Sequence, residues 1–267
     1  MRAVGVIPAR WHSTRFPGKS LAVLCGKPLI VWVVENARRA RMLDALIVAT
    51  DDERILRAVR DCGVEAVLTR AEHPSGTDRV AEAVRNVEAD IVVNIQGDEP
   101  LIDPGLIDRL VRALLARRDW DMATAAAPMV RREQVAVPGV VKVVCDAEGR
   151  ALYFSRSVIP FARGAPEGIG PVPLYRRHIG IYAYRKTFLE RLVATPPCEL
   201  EQTECLEQLR ALFIGARILV LDSHEQGIGV DTPEDLEYVA QLIAEKMGSG
   251  SRPGAEAGLR AQGGQNR

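Results

Sequence analysis

The chain has no charge excess, no long apolar run and no cysteine pairing pattern, and each absence removes a class of function. Basic (Lys plus Arg) and acidic (Asp plus Glu) residues number 35 each, so no global field draws the chain to nucleic acid or to an anionic membrane. Any anion chemistry must be local. No stretch nears the roughly 20 apolar residues that span a bilayer. The longest candidate, Pro28 to Val34, stops at Glu35 and Asn36. The amino-terminal stretch offers no signal-peptide core. The five cysteines (Cys25, Cys62, Cys145, Cys198, Cys205) are odd in number and lack C-x-x-C spacing. That is the usage of reduced thiols in a cytoplasmic protein, and it does not favour a zinc site from Cys198, Cys205 and His178. Neither the Walker phosphate loop nor the dinucleotide-binding glycine fingerprint fits the first loop, and no internal repeat is visible.

What is present begins at Val4. Val4 to Ala9 reads as a buried strand, bounded by Pro and Gly, that breaks into a loop carrying Arg10, Arg15 and Lys19 with Gly18 and two hydroxyls between them. Three cations past a strand's carboxyl end make an anion cradle on the edge where open α/β sheets bind ligands. Read alone, the stretch fits a solvated basic loop equally well.

Strand and helix then alternate. Leu29 to Met42 reads as an amphipathic helix, Ala45 to Thr50 as a strand, and Glu53 to Cys62 as a helix capped by Asp52. Val64 to Leu68 is a strand, Asp78 to Val87 a helix with Thr77 at its N-cap, and Ile91 to Ile95 a strand running into Gln96-Gly97-Asp98-Glu99-Pro100. This rhythm predicts an α/β fold with a mostly parallel sheet and flanking helices. Past the helix Pro104 to Ala116 it changes. Met122 to Ala127 reads as a strand, and Val140 to Val144 with Ala151 to Phe154 as a hairpin. After the loop Arg163 to Pro173 come a strand at Ile179 to Tyr184 and helices at Lys186 to Val193 and Leu200 to Leu212. A strand at Ile218 to Leu221 precedes a last helix, capped by Thr232, opened by Pro233 and running to about Met247. Residues 1–247 thus read as one domain, and the composition from Gly248 onward as a disordered tail.

Chemistry on a polyphosphate calls for a divalent cation, and magnesium is commonly held by one or two carboxylates with waters and phosphate oxygens. Asp98 is one candidate, just past a strand with Gly97 allowing close backbone approach; its alternative is a turn former. Asp231 is the other; its alternative is a turn aspartate beside the cap Thr232. Asp119-Trp120-Asp121 spells the D-x-D pattern of sugar-nucleotide glycosyltransferases, but it lies at a strand's amino end, the wrong edge for the ligand. A non-catalytic nucleotide-binding module would not need two remote carboxylates meeting at one point.

With these residues assembled, the chain resembles the sugar-acid cytidylyltransferases. The motifs are IPAR-x4-R-x-PGK-x-L (Ile7 to Leu21), GKP (Gly26 to Pro28), ATDD (Ala49 to Asp52), SGTDR (Ser75 to Arg79), QGDEP (Gln96 to Pro100) and VKVV (Val141 to Val144). Further on come ALYFSR (Ala151 to Arg156), RHIGIYAYR (Arg177 to Arg185), LEQLR (Leu206 to Arg210) and GVDTPEDLE (Gly229 to Glu237). The match covers about residues 1 to 247. The wording departs from the family's at His12, at Glu72-His73-Pro74 and at Glu225 to Ile228, without removing a candidate ligand.

The resemblance implies a Rossmann-like nucleotidyltransferase fold with a smaller β-rich insertion for sugar binding and dimer contacts. It implies CMP transfer from CTP to the anomeric hydroxyl of an acid sugar, 3-deoxy-manno-octulosonate (Kdo), with magnesium, in a cytoplasmic homodimer serving lipopolysaccharide synthesis. Sialic acid or an amino-substituted Kdo is the alternative acceptor. By resemblance Lys19, Asp98 and Asp231 are catalytic, the two aspartates holding the metal. Ala9, Arg10, Arg15, Lys19, Arg70 and Ser75 would bind the nucleotide, and Gln96, Arg156, His178, Tyr184, Glu207 and Gln208 the sugar, with Arg156 on its carboxylate. Taken without the family, Arg156 is a surface arginine and His178 a core histidine.

Overall fold

The computed structural model describes residues 1–13, 15–224 and 227–249. In chain order the elements are β1 (Ala3–Ala9), β2 (Val23–Leu24), β3 (Lys27–Pro28), α1 (Leu29–Ala37), β4 (Ala45–Thr50), α2 (Glu53–Arg60), β5 (Glu65–Leu68), α3 (Gly76–Ala83) and β6 (Ile91–Asn94). There follow α4 (Pro104–Ala116), β7 (Met122–Pro128), β8 (Lys142–Cys145), β9 (Ala151–Ser155), β10 (Arg176–Arg185), α5 (Lys186–Ala194), α6 (Glu199–Glu204), α7 (Gln208–Phe213), β11 (Ile218–Asp222) and α8 (Pro233–Ser249). The expected tail therefore starts inside α8, and 250–267 lie outside the described residues, as do Glu225 and Gln226.

The main sheet runs β11-β7-β10-β6-β1-β4-β5. Strands β6, β1, β4 and β5 are mutually parallel, as the strand–helix alternation requires. β10 is antiparallel to both β6 and β7, while β11 returns parallel to β7. The β8–β9 hairpin hangs from β10 through the pair Arg177 and Lys142. It is the expected β-rich insertion.

β1 is buried from both sides: Ile7 and Ala9 pack with α1, α2 and α4, and Val4 and Val6 pack with α3, α5 and α7. A strand covered on both faces reads as a continuous apolar run, which is why it was legible. On α4, Leu106, Ile107, Leu110 and Leu114 are almost wholly buried, each contributing about 1.5–3 kcal/mol by area. A separate cluster seats α8, through Val239 and Ile243, on Leu24 and Leu29. This packing brings residue 231 back to the first loop.

Three expected helices differ. The first ends at Ala37 rather than Met42, because Asp108 of α4 accepts the amides of Arg41 and Met42, each at 2.8 Å. Those donors are satisfied outside a helix. The third starts at Ser75, not Thr77: the Ser75 hydroxyl accepts from the Asp78 amide at 3.2 Å and donates to its carboxylate at 2.6 Å. Thr77 turns inward and is buried. The expected helix Leu200 to Leu212 is two helices, broken at Cys205 in the left-handed region (φ 50°). There the Leu206 amide reaches back to the Glu201 carbonyl at 3.2 Å, as in a helix C-terminal motif.

Candidate active site

The carboxyl ends of β1 and β6 deliver the first loop and the Gln96–Pro100 turn to one edge of the sheet. Gly97 is required there: a Cβ would sit 2.6 Å from the Pro8 carbonyl oxygen. The loop closes on itself through the Gly18 amide donating to Trp11 O at 3.1 Å. Gly18 supplies the positive φ of 70° that opens the short turn Lys19–Leu21.

Lys19 Nζ donates to Asp98 Oδ2 at 2.6 Å, to Asp231 Oδ1 at 3.0 Å and to the Val230 carbonyl at 3.1 Å. Arg15 Nη2 holds the other Asp231 oxygen at 2.8 Å. Asp98 and Asp231, remote in sequence, thus converge on one cation. Their backbones are coupled as well, the Val230 amide donating to Asp98 O at 2.8 Å. Asp235 fixes the approach from α8 by accepting the amides of Asp231 and Thr232 at 3.0 and 2.9 Å, while Thr232 caps Asp235 at 3.2 Å. Burial works to raise the Asp231 carboxyl, but hydrogen bonds and charge from Lys19 and Arg15 outweigh it and hold it below its ordinary value.

Two clefts and an inner chamber meet here, and Gln96 lines all three. The first cleft is walled by Ala9, Arg10, Arg15, Lys19 and Ser75 together with Asp98 and Asp231. Arg70 is not among its lining residues. It is exposed and pairs with Glu82 at 3.4 Å, so the expectation that it reads the nucleotide gains no support. The cation that takes a place in this wall is Arg79, a buried side chain bonded to Asp51 at 2.9 Å and to the Thr69 hydroxyl. It closes the SGTDR motif, which pointed at Ser75 and left Arg79 unassigned.

The second cleft shares Asp98 and Asp231 and adds Arg156, His178 and Gln208. Gln96 is steered by a 2.7 Å bond to the Gly180 carbonyl. His178 packs edge-on to Phe154 and tilted on Tyr182. Its Nε2 lies 3.0 Å from Thr124 Oγ1, whose hydroxyl also faces the Ile181 carbonyl at 2.8 Å. That hydroxyl has one proton to give. With it on Ile181 O, His178 donates from Nε2 and keeps Nδ1 as an acceptor. Burial pushes the imidazole down to about 3, so it is neutral at physiological pH.

Tyr184 and Glu207 line the inner chamber, with Asn94, Thr77, Tyr182 and Gln208. Thr77 is a shared partner there, hydrogen-bonding Asn94 at 3.4 Å and also Tyr184 and Glu207. Burial raises the Glu207 carboxyl above its ordinary value despite that bond. Asn94 Oδ1 and Gln208 Nε2 are buried without a hydrogen-bond partner. The six expected sugar residues therefore divide between two joined compartments.

Asp119 and Asp121 bind Arg217 at the amino end of β7, through a 2.7 Å ion pair and a 2.8 Å bond from its amide. They are away from the clefts, as their position after α4 implied. Among the described residues no group of three or more His, Cys, Asp or Glu could hold a metal ion. A metal here would rest on the Asp98–Asp231 pair. Two oxygen-donor carboxylates held at one point suit a hard ion that keeps several waters.

A family model described as cytidylyltransferase matches residues 4–218. The 3-deoxy-manno-octulosonate cytidylyltransferase of Syntrophobacter fumaroxidans is 53% identical over 248 residues, 92% of this chain and 98% of the relative. That of Pseudomonas fluorescens (strain Pf-5) is 52% identical over 250 residues, 89% and 96%. The solved structure of a CMP:2-keto-3-deoxy-manno-octonic acid synthetase complexed with CTP superposes with a TM-score of 0.86 at 42% identity, covering 92% of this chain and all of that one. A match running from β1 to the start of β11, with relatives this similar over nearly their whole length, means that the chain belongs to the cytidylyltransferase family, alongside the 3-deoxy-manno-octulosonate cytidylyltransferases.

Proposed function

We propose that the protein transfers CMP from CTP to the anomeric hydroxyl of Kdo, releasing pyrophosphate. The sugar oxygen forms a bond to the α-phosphorus as the α–β phosphoanhydride bond breaks, and the hydroxyl proton passes to solvent water. The observation that carries this reading is the meeting of Asp98 and Asp231 at Lys19, where a cation-walled cleft opens into a second, polar one. Arg10, Arg15 and Lys19 neutralise the triphosphate and the charge that grows on the leaving pyrophosphate. Asp98 and Asp231 would hold magnesium, which would supply Lewis acidity that eases deprotonation of the attacking hydroxyl. Neutral His178 accepts from a sugar hydroxyl through Nδ1, and Gln96, which lines both clefts and the chamber, and Gln208, which lines the second cleft and the chamber, orient the ring.

Pyrophosphate release should require CTP, magnesium and Kdo together, and Asp98→Asn or Asp231→Asn should lower kcat by at least about 100-fold with the fold intact by circular dichroism. Turnover of sialic acid but not Kdo would defeat the acceptor assignment. Wild-type rates in either variant would remove that carboxylate from the site. The reading extends to a cytoplasmic homodimer whose product serves lipopolysaccharide synthesis. Exposed Val130, Phe161 and Leu174, around the small core of Met129, Ile169 and Tyr175, support dimer contacts there. Light scattering giving a monomer would remove the dimer from the reading. Among the described residues no helix is long and apolar enough to cross a membrane.

A further inference from the structure

An acid sugar entering the second cleft meets four carboxyl groups, Asp98, Glu99, Asp231 and Asp235, of which Lys19 compensates Asp98 and Asp231. His178 is neutral. A carboxylate is tolerated there only beside a cation with donors to spare, and two arginines line the cleft, Arg156 and Arg177.

They are in opposite states. Each nitrogen of Arg156 already has a backbone carbonyl: Nε donates to Glu204 O at 2.6 Å, Nη1 to Pro138 O at 3.1 Å and Nη2 to Cys205 O at 3.3 Å. The Arg156 amide and the neighbouring Ser155 hydroxyl are further held by the Glu204 carboxylate, at 2.9 and 2.6 Å. Arg156 therefore fastens the end of β9 to the break between α6 and α7. A carboxylate arriving on either edge of its fork would have to share nitrogens with those carbonyls. The Arg177 guanidinium makes no hydrogen bond or ion pair to any described residue; its one electrostatic neighbour is Glu99. Adjacent Arg176 pairs with Asp222. The Arg177 backbone is fixed between Ala127 of β7 and Lys142 of β8, so a half-buried five-donor fork stands on a rigid strand.

We infer that Arg177, not Arg156, grips the carboxylate of the acid sugar, and that Arg156 is a positioning residue. A planar fork with every donor free offers the bidentate geometry a carboxylate prefers, and partial burial strengthens the pair. This rests on the cytidylyl-transfer reading above.

The test compares Kdo with its C1 carboxamide, at saturating CTP and magnesium, in the unmodified enzyme and in Arg177→Ala, Arg177→Gln, Arg177→Lys and Arg156→Ala. The unmodified enzyme should prefer the acid by roughly 10- to 100-fold in kcat/KM, the range of a charged bidentate contact. Arg177→Ala should bring that preference close to one by slowing the acid alone, with KM for CTP unchanged, and lysine should restore part of it. Glutamine gives the same reading if alanine unfolds the chain. Arg156→Ala should slow acid and amide alike. An unchanged preference in the Arg177 variants, or its loss in Arg156→Ala, overturns the assignment while leaving the reaction standing. Turnover of neither sugar by the unmodified enzyme instead defeats the reaction itself, and the assignment with it.

Discussion

His178 is both a packed core side chain and a lining residue of the second cleft. It sits between Phe154 and Tyr182, bonded to Thr124, which is what a core histidine looks like, yet it also faces the second cleft. The core reading made from the sequence is therefore met, and its place in the cleft leaves it within reach of a sugar. The sequence could not reveal the bond that decides its tautomer, because Thr124 lies on another strand. Burial lowers its folded-state value to about 3, against about 6.5 when unfolded. The unfolded state then binds the extra proton, so this contribution is fully present above pH 6.5 and is lost as pH falls toward 3. Within that window the group alone should cost about 1.4 kcal/mol of stability per pH unit. Urea unfolding from pH 7 to pH 4 should show this slope, and His178→Gln should flatten it. An identical slope in the variant would mean that the imidazole is solvated.

At the scale of elements, periodicity located nearly everything and the exceptions share a cause. Leu206, Leu209 and Leu212 recur at helical spacing, and no Gly or Pro separates them from Leu200. Cysteine is no helix breaker, so nothing local announced the turn at Cys205. The break is made by long-range contacts instead: Arg156 binds the carbonyls of Glu204 and Cys205. The shift of the α3 start from Thr77 to Ser75 has a similar origin, since both residues can cap and Asn94 draws Thr77 inward. A non-glycine residue at φ 50° carries backbone strain that glycine does not. Cys205→Gly should therefore hold or raise stability by up to about 1 kcal/mol, whereas Cys205→Val should lower it by about 1–2 kcal/mol. Guanidinium titrations of both variants would measure this. A glycine variant clearly weaker than the parent would show that the turn is not where the cost lies.

For the whole molecule, the decisive contact joins the chain's two ends. Neither carboxylate was decisive by itself in the sequence, because a turn aspartate and a metal ligand look alike locally. What the sequence does not show is the return of α8 across Leu24 and Leu29, which carries Asp231 to Asp98. The ammonium of Lys19 now compensates both carboxylates in a side chain that is 16% exposed. Lys19→Met would leave two facing anions with only the exposed Arg15 beside Asp231. The loss should be about 1–3 kcal/mol, less than for a fully buried pair because Asp231 remains partly solvated. Millimolar magnesium should return a measurable part of that loss by binding the folded state alone, and Asp98→Asn added to Lys19→Met should abolish the response. Thermal melts with and without magnesium chloride would read this without any turnover. Curves for Lys19→Met that do not move with magnesium would mean that Asp98 and Asp231 meet to anchor the helix rather than to hold a cation.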